Sequence, residues 1–123
     1  MNNEIKTRVP LLDTAGNIAY AGYAKSMLFD YDRKAIKAGK LRIKEWDYYL
    51  IYNQKYAIAL TVADNSYMGL ISASFIDFDK KTQHTTSPMT FMPKGKTNLP
   101  STSLTGDTVF SNKRVDFCFA NNN

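Results

Sequence analysis

Two acidic residues, Glu45 and Asp47, stand two positions apart in a segment in which large aromatic or aliphatic side chains occupy every second position. If the segment is a β-strand, both carboxyl groups lie on the same face of it. Paired carboxyl groups can divide the roles of acid and base when their surroundings separate their pKa values. The alternative is that both are solvated on an outer face of a sheet, and we favour this simpler interpretation.

A second group of polar residues is Ser111-Asn112-Lys113-Arg114, which brings a hydroxyl, an amide and two cations into one short run. Such a run can hold a carboxylate or a phosphate, since the arginine fork matches these anions. A polar start of a strand explains the same residues, and we favour it. The chain has 1 His and 1 Cys, His84 and Cys118, which are too few for a zinc site built from His and Cys alone.

Other catalytic patterns are weak. His84 stands in a Thr- and Ser-rich stretch without a nucleophile-elbow sequence, so the sequence does not predict a hydrolase triad. A glycine-rich phosphate loop is also missing from the sequence. We therefore expect no metal and no cofactor, and the sequence leaves open whether the protein is an enzyme.

Three consecutive runs between positions 46 and 79 predict the strands that must position these residues. The runs cover 46–52, 56–63 and 67–79, and their aromatic and β-branched residues alternate with period two. Breaks at 53–55 and 64–66 are short and polar, which is typical of hairpins. The sequence thus predicts an antiparallel meander.

Small side chains occupy one face of the second run, chiefly Ala57, Ala59 and Ala63. They leave room for a bulky neighbour. Close packing against a second sheet is the favoured interpretation, and a ligand cavity inside a β-barrel is the alternative.

The rest of the chain contributes less regular structure. We expect a short hairpin around the turn at 13–17, one or two helical turns within 32–38, an edge strand at 89–92 between proline-containing loops, and one or two strands within 108–120. The prediction is an all-β fold with at most one short helix, in a single domain spanning residues 1–123.

The charge balance gives a net charge of +5, from 16 Lys and Arg against 11 Asp and Glu. A moderate basic excess draws a protein weakly toward anions, but no long basic run is present, and a solvated surface is favoured. The sequence shows no secretory signal and no apolar run of membrane-spanning length, so we expect a cytoplasmic protein without a membrane span.

Four segments carry a family resemblance: PLLDTAGNIAYAGYAK, RIKEWDYYLI, ALTVADNSYMGL and FSNKRVDFCF. Together they resemble the N-terminal part of an uncharacterised bacterial family, domain of unknown function 2804, over nearly the whole chain. The resemblance implies that the chain is the N-terminal portion of a longer protein. The family is distantly similar to lipocalin-like barrels that occur in pairs, some of which handle carotenoids or other apolar molecules. This implies a barrel- or sandwich-like, lipocalin-like half, and no catalytic residue is carried over.

Two main hypotheses for function follow. The first is a lipocalin-like module that binds a small apolar or amphipathic molecule. The second is an enzyme that hydrates or isomerises an apolar, isoprenoid- or lipid-like substrate. A nucleic-acid-binding sheet is a weaker third, and we expect no nucleic acid as a partner.

The ligand hypothesis makes a specific prediction about residues. It expects a lining of large meander side chains with a cation at the hydrophilic end: Trp46, Tyr48, Tyr52, Tyr56 and Ile58, with Lys113 or Arg114. The alternative, which we favour, is that these aromatic residues form a filled core. We also expect self-association or pairing with a second β domain, with the contact near 109–119, because a cut barrel exposes strand edges.

Overall fold

Short and long β-strands make up most of the ordered structure of the molecule. The computed structural model describes residues 3–113 and 115–121. Its strands, in chain order, are β1 (Val9–Pro10), β2 (Phe29–Asp30), β3 (Glu45–Tyr52), β4 (Tyr56–Asp64), β5 (Met68–Asp77), β6 (Thr82–Thr86), β7 (Met89–Phe91), β8 (Thr108–Ser111) and β9 (Asp116–Phe119).

The predicted antiparallel meander is confirmed. The central five-stranded sheet has the order β3-β4-β5-β6, and β7 pairs with the other end of β5. Asn53 sets the first turn, since its side-chain oxygen accepts hydrogen bonds from the backbone N–H groups of Lys55 and Tyr56, both at 2.8 Å. Strand β6 was not predicted, because its Thr-rich sequence lacks the apolar alternation that marks a half-buried strand.

The register divides the sheet into two faces. The first, which we call the aromatic face, carries Trp46, Tyr48, Leu50 and Tyr52 of β3 opposite Ala63, Thr61, Ala59 and Ala57 of β4. Ala57 is only 2% exposed beside its taller neighbours Tyr52 and Ile76. On this face, the small side chains of β4 therefore form a low surface beside a row of large side chains on β3, which we call the ridge.

The second face is partly covered, and it holds the most deeply buried apolar residues, Val62 and Ile71. The antiparallel pair β8–β9 packs on it, because the ring of Phe119 stacks on Tyr49 with centroids 4.6 Å apart. Phe119 belongs to the segment for which an external contact was predicted, and here it has a partner within the chain. The sheet of the described residues stays open rather than closing into a barrel, so the sandwich-like alternative is the one that fits.

The N-terminal segment is held by a parallel pairing of β1 with β2. The predicted turn at 13–17 is present, with the Asp13 carboxylate accepting from the backbone N–H groups of Ala15 and Asn17 at 2.9 Å. The predicted helix is reduced to a 3₁₀ turn at Arg33–Ala35, capped by the side chain of Asp32, and a second 3₁₀ turn follows at Lys40–Arg42. Nowhere in residues 3–113 and 115–121 is a helix long and apolar enough to cross a membrane.

Candidate functional site

An open cleft of about 360 Å³ lies at the start of β3. Three segments form its walls: the N-terminal segment, the beginning of β3 and the loop that follows β7. Its apolar lining comes from Met27, Ile36, Trp46, Leu99 and Pro100, and polar groups come from Tyr31, Lys44, Glu45, Asp47 and the run Ser101–Ser103. The cleft thus combines an apolar wall with a few charged groups at one strand end.

Glu45 joins the N-terminal segment to the sheet at this cleft. The Tyr31 hydroxyl donates a hydrogen bond to one carboxylate oxygen, and the guanidinium group of Arg33 forms an ion pair with the other. Burial raises the pKa of Tyr31, so its hydroxyl keeps the proton that it donates. The Glu45 side chain is only 13% exposed, so our interpretation of it as a solvated residue is wrong.

Asp47 is the second carboxylate of the predicted pair, and it does lie on the same face as Glu45. Its side chain accepts a hydrogen bond from the hydroxyl of Thr108 at 2.7 Å, and Thr108 is completely buried. Asp47 therefore fixes the start of β8 to the sheet, while its position in the cleft wall leaves it near any bound molecule.

Asp64 holds the loop on the far side of the cleft. This carboxylate is fully buried, and its two oxygens accept from Ser66 N at 2.8 Å, from Gly95 N at 2.6 Å and from the Thr97 hydroxyl at 3.0 Å. A buried carboxylate is tolerated only when such donors replace its water. The residues after β7 are thereby tied to the β4–β5 turn, and they lead directly into the cleft wall at Leu99.

Cations flank the apolar part of the cleft. Lys44 lies in its wall, with the ammonium nitrogen 5.5 Å from the centre of the Tyr67 ring. A neighbouring pocket of about 210 Å³ shares Met27 and Tyr31 with the cleft and includes Arg8, which is 3.2 Å from a carboxylate oxygen of Asp30. The guanidinium group of Arg8 therefore lies in a pocket that adjoins the cleft, where it is paired with Asp30.

The structure brings only one of the predicted lining residues into the cleft, namely Trp46. Tyr48 and Tyr52 follow it along the aromatic face, exposed to solvent and outside the cleft. Tyr56 and Ile58 lie on the opposite face, where Tyr56 stacks on Phe75 with centroids 5.5 Å apart.

Of the two predicted cations, the structure describes Lys113 and places it away from the cleft. Lys113 is exposed beyond β8, and it lines none of the pockets described above. Arg114 lies outside the described residues. The described cations that do lie at the cleft and its neighbouring pocket are Lys44 and Arg8.

Sequence reasoning missed most of the cleft because its walls come from loops. Met27, Tyr31 and Leu99 reach β3 through tertiary contacts that no local period encodes. One signal was available: the apolar run Met27-Leu28-Phe29 stands outside the predicted strands and needs something to pack against. Within the described part of the chain, no three His, Cys, Asp or Glu side chains are grouped so that they could hold a metal ion.

These observations define a class: an antiparallel β-sheet protein, open on one face, with a solvent-accessible apolar cleft at a strand end. The sequence matches the model of the family described as Domain of unknown function (DUF2804) over residues 2–123, and the chain belongs to this family. No curated protein and no solved structure matches it. The predicted family is thus confirmed, while the lipocalin-like relationship and the bacterial origin stay predictions.

Proposed function

We propose that the cleft at the start of β3 binds a small apolar or amphipathic molecule, as a lipocalin-like module would. The observation that carries the proposal is the cleft itself. Its volume of about 360 Å³ falls within the range of roughly 300–1,000 Å³ found for small-molecule sites. Its wall is mainly apolar with a few polar groups, which is the usual composition of such sites.

The charged groups favour a ligand with one anionic end. Lys44 borders the apolar wall, and Arg8 lies in the adjoining pocket. Both carboxylates of the cleft wall are already engaged, Glu45 by Arg33 and Tyr31 and Asp47 by the Thr108 hydroxyl. Arg8 is paired with Asp30, but this ion pair is exposed to solvent and can open to an incoming anion at little cost. A long-chain carboxylate placed with its tail against Trp46 would put its head near these cations.

The test uses the single tryptophan of the chain as a reporter. A long-chain fatty acid, palmitoleate, is titrated into the protein below its critical micelle concentration while Trp46 emission is recorded. We expect a saturable change, because Trp46 is 65% exposed and a bound tail would replace water at its ring. The matching fatty alcohol should bind more weakly, since it lacks the charge that Lys44 and Arg8 would meet.

A variant separates binding from signal. Trp46→Phe should remove the emission change while native mass spectrometry still detects the bound fatty acid. The proposal is contradicted if a well-folded sample shows no saturable response to either probe and carries no fatty acid in native mass spectra. In that case, the cleft is not a binding site for long-chain apolar molecules.

A second candidate is an enzyme that hydrates or isomerises an isoprenoid- or lipid-like substrate. The observation in its favour is that a largely buried carboxylate, Glu45, lies in the cleft wall beside the Tyr31 hydroxyl. Hydration would require Glu45 in its protonated form: its carboxyl group would give the proton to one alkene carbon as the π bond breaks, and water would bond to the other carbon. The proton that this water then loses would return to the Glu45 carboxylate. The ion pair and hydrogen bond that already occupy Glu45 make this the weaker proposal.

Its test is a product assay. Protein is incubated with a linear isoprenoid polyene in water enriched in oxygen-18, and hydrated product is sought by mass spectrometry. Product formed by the wild type and lost in a folded Glu45→Gln variant would support the enzyme. An unlabelled, unchanged polyene would leave binding as the only activity proposed for the cleft.

The nucleic-acid alternative has little support. Strands β3 to β7 contain no Lys or Arg, so the exposed tyrosines of the sheet have no cations beside them in these strands. Self-association or pairing with a second β domain, a place as the N-terminal portion of a longer protein, and a cytoplasmic location stay predictions.

A further inference from the structure

Strand β3 forms an unprotected edge of the central sheet. It is 8 residues long, and among the residues that the structure describes it pairs only with β4. Its sequence, EWDYYLIY, contains no Lys or Pro, two residues that commonly block edge-to-edge pairing. Its two charged residues, Glu45 and Asp47, are engaged within the chain by Arg33, Tyr31 and Thr108. The opposite edge, β6, is a polar Thr-rich strand preceded by Lys80–Lys81 and followed by Pro88, so it carries several such features.

The hydrogen-bond pattern identifies which backbone groups of β3 have no backbone partner among the described residues. Asn53 N donates to Tyr56 O at 2.9 Å, which makes 53 and 56 a hydrogen-bonded pair at the end of the hairpin. Because such pairs alternate in an antiparallel ladder, the odd-numbered residues of β3 bond to β4. The N–H and C=O groups of the even-numbered residues therefore point outward: Trp46, Tyr48, Leu50 and Tyr52.

The same even-numbered residues form the exposed ridge of the aromatic face. Trp46, Tyr48 and Tyr52 are 65%, 56% and 72% exposed. Since an aromatic side chain buries about 150–250 Å² when fully covered, these three offer roughly 300–450 Å² per copy. Two copies together thus offer at most about 900 Å² from these rings, and edge pairing covers only the sides of the rings that face the partner strand. The buried area is therefore below the roughly 1,200–2,000 Å² of stable complexes, which fits a weak dimer.

We propose that a second copy of this chain pairs with the free edge of β3, antiparallel and around a two-fold axis, to form one continuous sheet. The hydrogen bonds between the two copies must join the outward-pointing backbone N–H and C=O groups of one β3 strand to those of the other. Even-numbered residues of one copy therefore lie opposite even-numbered residues of its partner. The register that overlaps the ridge most fully puts Trp46 opposite Tyr52 and Tyr48 opposite Leu50. It also places Asp47 opposite Ile51, so no carboxylate meets another across the axis.

Sedimentation of the full chain between about 1 μM and 1 mM tests the surface. We expect concentration-dependent dimers in the wild type and at least about tenfold weaker association in Tyr48→Lys, which brings a cation into the symmetric seam. Leu50→Lys serves as a second variant in case the first fails to fold. The control is Phe91→Lys, since Phe91 is 88% exposed on β7, on the far side of β5, and should leave association unchanged.

Cysteine crosslinking in a Cys118→Ser background tests the register. A mixture of Trp46→Cys and Tyr52→Cys chains should form a disulfide-linked dimer, whereas neither variant alone should, because like positions lie about 20 Å apart in this arrangement. The proposal is overturned if the wild type is monomeric at every concentration, or if Phe91→Lys weakens the dimer as much as Tyr48→Lys does. Efficient crosslinking of Trp46→Cys alone would overturn the register.

Discussion

The hydroxyl group of Tyr31 donates a hydrogen bond to Glu45 across 14 positions of the sequence, and it thereby fastens the N-terminal segment to the first residue of β3. Arg33 approaches the other oxygen of the same carboxylate. Two walls of the cleft therefore meet at one side chain. Changes at this junction should alter both the stability of the protein and the shape of the cleft.

Replacing Tyr31 by phenylalanine should lower the free energy of unfolding by about 1.5–3 kcal/mol, since a partly buried hydrogen bond to a charged group is lost. Urea denaturation measures the change. Tyr20→Phe is the matched control, because Tyr20 is 53% exposed and should shift stability by no more than about 0.5 kcal/mol. Equal effects of the two variants would show that the Tyr31 contact does not hold the segment.

The same hydroxyl should give a pH dependence at alkaline pH. Burial raises the pKa of Tyr31 above its usual value of 10.0, so the folded protein holds this proton at pH values where the unfolded chain releases it. The contribution to stability is present below about pH 10 and is lost as the pH rises through the folded pKa. Urea denaturation at about pH 8 and about pH 11 should show a larger loss for the wild type than for Tyr31→Phe. Parallel losses in both proteins would argue against the raised pKa.

Removing the buried carboxylate of Asp64 should be more damaging. Asp64→Ala leaves three donors without their acceptor, namely Ser66 N, Gly95 N and the Thr97 hydroxyl, and should cost at least about 3 kcal/mol. Asp64→Asn retains one oxygen and should cost less. Asp79→Ala, at an exposed carboxylate, is the control and should change stability by about 0.5 kcal/mol at most. Similar denaturation midpoints for Asp64→Ala and Asp79→Ala would refute the role of Asp64.

Gly95 should tolerate a methyl group poorly. Its φ angle is +86°, and a Cβ atom there would stand 2.8 Å from the guanidinium carbon of Arg33. Gly95→Ala should therefore destabilise the protein by about 1–2 kcal/mol, from the left-handed backbone and the crowding together. Gly39→Ala provides the control, since nothing lies within 4 Å of its Cβ position, and thermal denaturation should show no loss of stability. A melting temperature of Gly95→Ala equal to that of Gly39→Ala would contradict the expected strain and contact.

The strands could be predicted because their pattern is local. Because side chains alternate between the two faces of a strand, Trp46, Tyr48 and Tyr52 lie on one face of β3 independently of the tertiary structure. The neighbours across the sheet depend on the register instead. The first turn closes between Asn53 and Tyr56, so Tyr52 lies opposite Ala57, and Tyr56 lies on the other face. A slip of one residue exchanges the faces, which is why Tyr56 and Ile58 were grouped with the wrong aromatic residues.

The cleft could be predicted only in part. Glu45 and Asp47 were expected on one face, and they are, but their partners come from elsewhere in the chain. Asp64 shows the same limit. The sequence identifies it as a turn residue. In the structure it is a buried carboxylate that accepts hydrogen bonds from Gly95 and Thr97, about thirty positions later in the chain. Contacts of this kind depend on how the loops pack, and no spacing within the sequence encodes them.

The most direct test of the proposed binding site is to fill the cleft and measure affinity for palmitoleate by Trp46 fluorescence. Ser101→Phe places a ring in the cleft wall, whereas Thr105→Phe adds the same ring to an exposed position outside it. Binding in the cleft predicts that Ser101→Phe weakens affinity by at least about tenfold, or about 1.4 kcal/mol, while Thr105→Phe binds like the wild type. Equal affinities for Ser101→Phe, Thr105→Phe and the wild type would show that the fatty acid binds elsewhere or not at all.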